Sequence, residues 1–165
     1  MKITEAADLD ASVEEVFALR TTEAFHDEKC ARSSPLRHTV VIHREGDHTI
    51  IHTVRAMATD ALPEAARRAT GAELHVDETQ DWGPADADGS RSADVWIRLR
   101  GLPVTLTGTL TLSPTAAGSH QALAGSLRAA IPIVGGRIEH YAAMAITRGF
   151  DIEAQLVGES LRGGR

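Results

Sequence analysis

At 165 residues the chain is long enough for one domain with its own hydrophobic core, and a single unit spanning 1–165 is the expectation at that length. Its 23 acidic and 17 basic side chains leave a net charge of −6, with the arginines scattered along the chain, which argues against a nucleic-acid partner. The opening MKITEAADLDAS has no apolar run behind its lysine, and no later stretch reaches the roughly 20 apolar residues of a membrane span. A soluble, unexported, cytoplasmic protein without an integral membrane segment is therefore expected.

Ile3 to Asp10 reads as an opening strand. Ser12-Val13-Glu14-Glu15 then has the S-x-x-E form of a capping box, and the helix it starts buries Val13, Val16, Phe17 and the apolar stem of Arg20. Thr21 or Thr22 caps a second helix, TEAFHDEKCARSS, closed off by Pro35. Within it the lone Cys30 has no intramolecular disulfide partner and reads as a small packing residue.

HTVVIHREGDHTIIHTVRAMA is a hairpin, two β-branched runs around Glu45-Gly46-Asp47, where Gly46 supplies the positive φ of the turn. Leu62-Pro63 opens a small connecting segment ending at Gly71. Glu73 to Trp82 follows as a strand, then the polar loop GPADADGSRS. In the last three strands the dry sets are the odd positions of Val95 to Leu99, then Val104, Leu106, Leu110 and Leu112, then Leu123, Gly125, Leu127, Ala129 and Ile131. Pro114 and Gly118 mark the hairpin between the second and third. Pro132 ends the last strand, and Gly135-Gly136 turns the chain into the final helix, with at least one of the two expected at positive φ.

That helix, Gly136 to Leu161, would run roughly 39 Å at about 1.5 Å per residue. Ile138, Ala142, Ala145, Gly149, Ile152 and Leu156 share one face with Tyr141 at its edge, and Arg137, Arg148, Asp151 and Gln155 lie on another. Strand, two short helices, about six antiparallel strands and one long helix make an α+β protein: a curved antiparallel sheet wrapped around a C-terminal helix.

This order resembles the helix-grip fold of the START and birch-pollen-allergen superfamily over nearly the whole chain. VFALRTTEAFHDEKC, LPEAARRATG, VDETQDW, GTLTLSP and IPIVGGRIEHY resemble an uncharacterised actinobacterial branch of it. The resemblance implies an apolar cavity between sheet and helix that holds a lipid, sterol, polyketide or similar molecule, and it transfers no catalytic residue.

Other constellations are weaker. If Glu45-Gly46 forms the turn, His43 lies opposite His48 with His52 on the same face, but no third and fourth ligand stands at a metal-binding spacing, so a solvated face is expected. Arg98 and Arg100 share a face with Trp96: on a convex face they are solvated, with room for Trp96 to stack beneath one of them, which is the expectation, whereas a bend that turned the face inward would make Arg98 an anchor for a ligand carboxylate. There is no G-x-S-x-G elbow and no H-E-x-x-H pair; His140 and Tyr141 are the plausible acid and base near a cavity, with Tyr141 the better placed.

The functional expectation is a binder of a hydrophobic small molecule, with no catalytic residue, metal or cofactor assigned. Its cavity is expected to be lined by Leu106, Leu110, Leu123, Leu127, Ile138, Tyr141, Ala142, Ala145, Gly149 and Ile152, because the helix stripe is large at both ends and small in the middle. The alternatives are a cyclase or dehydratase using Tyr141, and a protein-interaction module whose cavity has collapsed.

Overall fold

A computed structural model describes residues 1–163; residues 164 and 165, which the expected domain span includes, lie outside the described residues. In chain order the elements are β1 (Lys2–Leu9), α1 (Val13–Arg20), α2 (Glu23–Arg32), β2 (Arg37–Glu45), β3 (His48–Ala58), α3 (Glu64–Thr70), β4 (Glu73–Trp82), β5 (Arg91–Leu99), β6 (Val104–Thr115), β7 (Gly118–Ala129) and α4 (Gly135–Gly163). The segment read as a connection between Leu62 and Gly71 contains α3, and β5 starts at Arg91, ahead of its apolar run.

Local chemistry sets the helix starts. The Ser12 hydroxyl accepts from the Glu15 amide while Glu15 accepts from the Ser12 amide at 2.9 Å, so two otherwise orphaned donors are satisfied. Thr22, not Thr21, caps α2 through the Phe25 amide. Thr21 instead donates its hydroxyl back to the Phe17 carbonyl at 2.8 Å.

The seven strands pair antiparallel in the order β1-β7-β6-β5-β4-β3-β2. β2 to β7 form a continuous meander, and β1 closes it by pairing Lys2 to Leu9 against Ser126 to Ser119. Midway along β6 and β7 two glycines face each other, Gly108 against Gly125. A Cβ on Gly108 would stand 2.6 Å from the Ala124 carbonyl oxygen, so only glycine permits this close, bent crossing of the curved sheet.

Two junctions correct the sequence reading. In the β2–β3 hairpin Glu45 pairs with His48, so the two loop residues are Gly46 and Asp47, and His43 faces Ile50 instead of His48. Gly46 takes φ 59° at the first loop position, where such a loop requires glycine, and this moves the register by one residue.

At the helix junction β7 stops at Ala129, three residues before Pro132, and the positive φ belongs to Ile133 at 68°, not to either glycine. Gly135 sits buried in the first turn of α4. A Cβ there would lie 2.6 Å from the Ala129 carbonyl oxygen, whereas Gly136 has open space around it. Gly135 is thus needed for the helix start to approach the strand end, and the positive-φ glycine hinge does not exist.

The core fills both ends of the concave face. Val13 and Val16 of α1, Phe25 of α2, and Phe150, Leu156 and Val157 of α4 join Ile51, Trp82, Leu106 and Leu112 of the sheet in one cluster. Burying each large side chain contributes roughly 1.5–3 kcal/mol. Along α4 no residue between Ile138 and Phe150 is fully buried, although Ala142, Ala143 and Ile146 pack partly against the core, so the helix is anchored most firmly at its two ends and more loosely in between.

Candidate ligand cavity

Along that looser stretch lies a cavity of about 430 Å³. One wall is the concave face: Leu74 and Val76 of β4, Val95, Ile97 and Leu99 of β5, Val104, Leu106 and Leu110 of β6, and Leu123 and Leu127 of β7. The other is α4, through Ile138, Tyr141, Ala142, Ala145, Gly149 and Ile152, with Leu62, Pro63 and Ala66 closing the side near α3. All ten residues named from the sequence therefore line one space. They are not equivalent in it: Ala145 and Tyr141 are exposed, and with the exposed Arg148 they stand at its solvent side. The buried stripe of α4 is rotated away from Ala145 toward Phe150, Glu153 and Val157, following an i, i+3, i+4 course.

The inner end is charged. Lys29 Nζ stands 2.6 Å from Glu78 Oε1 and 2.5 Å from Glu153 Oε1, with all three side chains nearly inaccessible to solvent. Arg20, behind them, pairs with the second oxygen of Glu153 and donates to Gln121 Oε1 at 2.9 Å. Arg55 reaches Glu78 Oε2 at 3.2 Å. Gln80 donates to Glu78 Oε1 at 2.9 Å and accepts from Trp82 Nε1 at 3.1 Å, and the Arg20 guanidinium lies 5.6 Å from the centre of the Trp82 ring. Lys29, Arg55, Glu78, Gln80 and Glu153 all line the cavity, so apolar walls lead to an ionic floor.

Burial and pairing set the charges there. Burial lowers the Arg20 pKa to about 10, against the opposing pull of Glu78. Burial also lowers Lys29, with Glu78 opposing it. Burial alone would raise Glu78, but the Lys29 and Arg55 charges outweigh it and hold the carboxyl well below the usual carboxylate range. His26, 2.7 Å through Nε2 from the Arg20 carbonyl, is pushed down to about 3, first by burial and then by the Lys29 charge. It is a neutral imidazole whose Nε2–H donates to that carbonyl.

The remaining candidates lie elsewhere. His43, His48 and His52 project from the outer face; His48 Nδ1 bonds Asp81 at 2.6 Å, which raises its pKa. Among the described residues no three His, Cys, Asp or Glu side chains form a group that could hold a metal ion. Arg98 and Arg100 are exposed, and both bind Asp77, at 3.1 and 2.7 Å. Cys30 is fully buried, which raises its pKa. His140 and Tyr141 are both exposed with their rings 6.4 Å apart, and of the two only Tyr141 lines the cavity, at its solvent side. No described helix is long and apolar enough to cross a membrane.

The ionic floor is the part that the sequence reading missed, apart from Arg20. A signal existed. In β4 Leu74, Glu78, Gln80 and Trp82 are buried in one alternating register, with the buried Asp77 on the opposite face, so period two puts a carboxylate and an amide on the dry face. Glu153 likewise falls three residues before Leu156 and three after Phe150 in the buried stripe of α4.

A family described as protein of unknown function (DUF2505) matches residues 4–161, and the chain belongs to that family. An uncharacterized protein of Mycobacterium tuberculosis is 27% identical over 156 residues, covering 90% of this chain and 89% of that protein, in keeping with the actinobacterial resemblance. Two solved structures share the fold. A STAR-related lipid transfer protein from Xanthomonas axonopodis has a TM-score of 0.60 at 15% identity, over 96% of this chain and 84% of that one. Zhui aromatase/cyclase from Streptomyces sp. R1128 has a TM-score of 0.58 at 11% identity, over 100% and 96%. The fold is the START-like helix grip that the order of elements implied.

Proposed function

We propose that this family member binds a hydrophobic small molecule, of lipid, sterol or polyketide type, between the curved sheet and α4. The observation that carries the reading is the stretch of α4 between Ile138 and Phe150, in which no side chain is fully buried and about 430 Å³ is left open against leucines and valines of the sheet. That volume falls in the range of small-molecule sites, and a wall of this composition favours an apolar occupant through the water it releases. The lipid transfer protein and the aromatase/cyclase of the same fold lend support by their names. A collapsed cavity serving only protein contacts does not fit this volume.

Native mass spectrometry of protein purified from its host tests the reading. A retained non-covalent mass of lipid-like size is expected, together with saturable uptake of an apolar fluorescent probe by the stripped protein. Absence of both would refute it.

A further inference from the structure

The charged side chains lining the cavity do not balance. Lys29, Arg55 and Arg148 are cations and Glu78 and Glu153 are anions, and no other carboxylate lines the cavity among the described residues. Glu153 is moreover already paired from behind by Arg20. Counting Arg20, the buried inner end alone holds three cations, Arg20, Lys29 and Arg55, against two carboxylates. One positive charge is left over in a space whose other walls are apolar, where an uncompensated charge is costly.

The donors are also unequally engaged. Lys29 is committed to two carboxylates at 2.5 and 2.6 Å. Arg55 has a single carboxylate contact, at 3.2 Å, its Nε has no hydrogen-bond partner, and its side chain keeps 14% exposure where those of Arg20 and Lys29 keep 0% and 5%. Arg20 Nε also lacks a partner, but Arg20 does not line the cavity; Arg55 is the guanidinium that does so with a donor to spare, and it presents a planar fork that matches a carboxylate.

We infer that the ligand is a monoanionic amphiphile, an apolar body ending in one carboxylate, which seats its head against Arg55 at the inner end of the cavity. This rests on the ligand-binding reading and goes further: the head neutralises the surplus charge, the Leu106, Leu110, Leu123 and Leu127 wall takes the body, and Arg148 at the solvent side draws the anion inward.

The test compares three amphiphiles of one chain length, dodecanoate, dodecan-1-ol and dodecylamine, by displacement of an apolar fluorescent probe below their aggregation concentrations. The carboxylate should bind at least about tenfold more tightly than the alcohol, and the amine most weakly. Arg55→Gln should bring acid and alcohol within about threefold of each other, chiefly by weakening the acid. Acid and alcohol binding equally to the parent, or the amine binding best, would overturn the acidic-head assignment while leaving the cavity a hydrophobic site. An acid preference that survives Arg55→Gln in a folded protein would overturn the role of Arg55. If neither the probe nor any of the three binds the parent, the ligand-binding reading falls and this inference with it. The parent's ranking decides the head group even if the variant does not fold.

Discussion

Lys29 of α2 and Glu153 of α4 meet inside the protein, 2.5 Å apart with each side chain 5% exposed, so a buried ion pair ties the second helix to the C-terminal half of the long one. Removing the lysine would take from Glu78 and Glu153 their shared close partner and leave as counter-charges only Arg55, at 3.2 Å, for Glu78 and only Arg20 for Glu153. Lys29→Met should therefore cost about 3–5 kcal/mol in urea unfolding. The exposed pair Arg37–Glu73 is the contrast: Arg37→Ala should leave the unfolding midpoint nearly unchanged. Equal effects from both substitutions would show that the interior pair contributes no more than a surface one.

His26 makes stability sensitive to mild acid. Its folded pKa lies near 3 against 6.5 for the free side chain, so below about pH 6.5 the unfolded chain takes up a proton that the folded one refuses. Stability from this group is complete above pH 6.5 and declines as the pH falls toward 3. Glu78 is also depressed, but its contribution disappears only below its unfolded value of 4.5. The interval between those values isolates the histidine. Urea unfolding at pH 7 and 4.5 should show a loss of about 2 kcal/mol that shrinks in His26→Leu. His48 acts in the opposite direction, its raised pKa favouring the folded state at the lower pH, but it is common to both proteins and cancels in the comparison. A variant with the parent's pH slope would remove His26 from the account.

The two glycines that open α4 should behave differently under one substitution. Gly135→Ala forces a methyl carbon to within 2.6 Å of the Ala129 carbonyl oxygen, and should destabilise by more than about 1 kcal/mol. Gly136→Ala meets nothing, lies in the first turn of a helix, and should be neutral or stabilising by up to about 1 kcal/mol. Thermal melts that rank the two variants the other way would refute the close-approach argument.

The fold was legible because its signals are local and repeated. A capping box, β-branched runs and three alternating strands each report their own element, and β4 occupies the expected Glu73–Trp82. The apolar lining was legible for the same reason, since alternation tells which leucines share a face. What local pattern could not carry was the partner of each charge. Lys29 meets Glu78 across 49 residues and Arg20 meets Gln121 across 101, and in the sequence each is one polar residue among many. The positive φ at Ile133 was hidden too, because a β-branched residue is the last place where backbone preference would put it.

Ala145 separates an open cavity from a packed core. Its small neighbours Ala142 and Gly149 line the cavity beside it, and Ala145 itself lines the cavity while remaining exposed. A phenylalanine there has room to lie across the opening without displacing backbone, whereas in a filled interior the same ring would cost roughly 1–3 kcal/mol of strain. Ala145→Phe is accordingly expected to change stability by less than about 1 kcal/mol and to weaken uptake of an apolar fluorescent probe by about fivefold or more. Gln155→Phe, exposed on α4 and off the cavity lining, controls for simple stickiness and should leave uptake unchanged. The fluorescence titration and a urea unfolding curve on the same samples decide the matter. Loss of stability with normal uptake would mean that helix and sheet are packed at Ala145 and that the probe enters somewhere else.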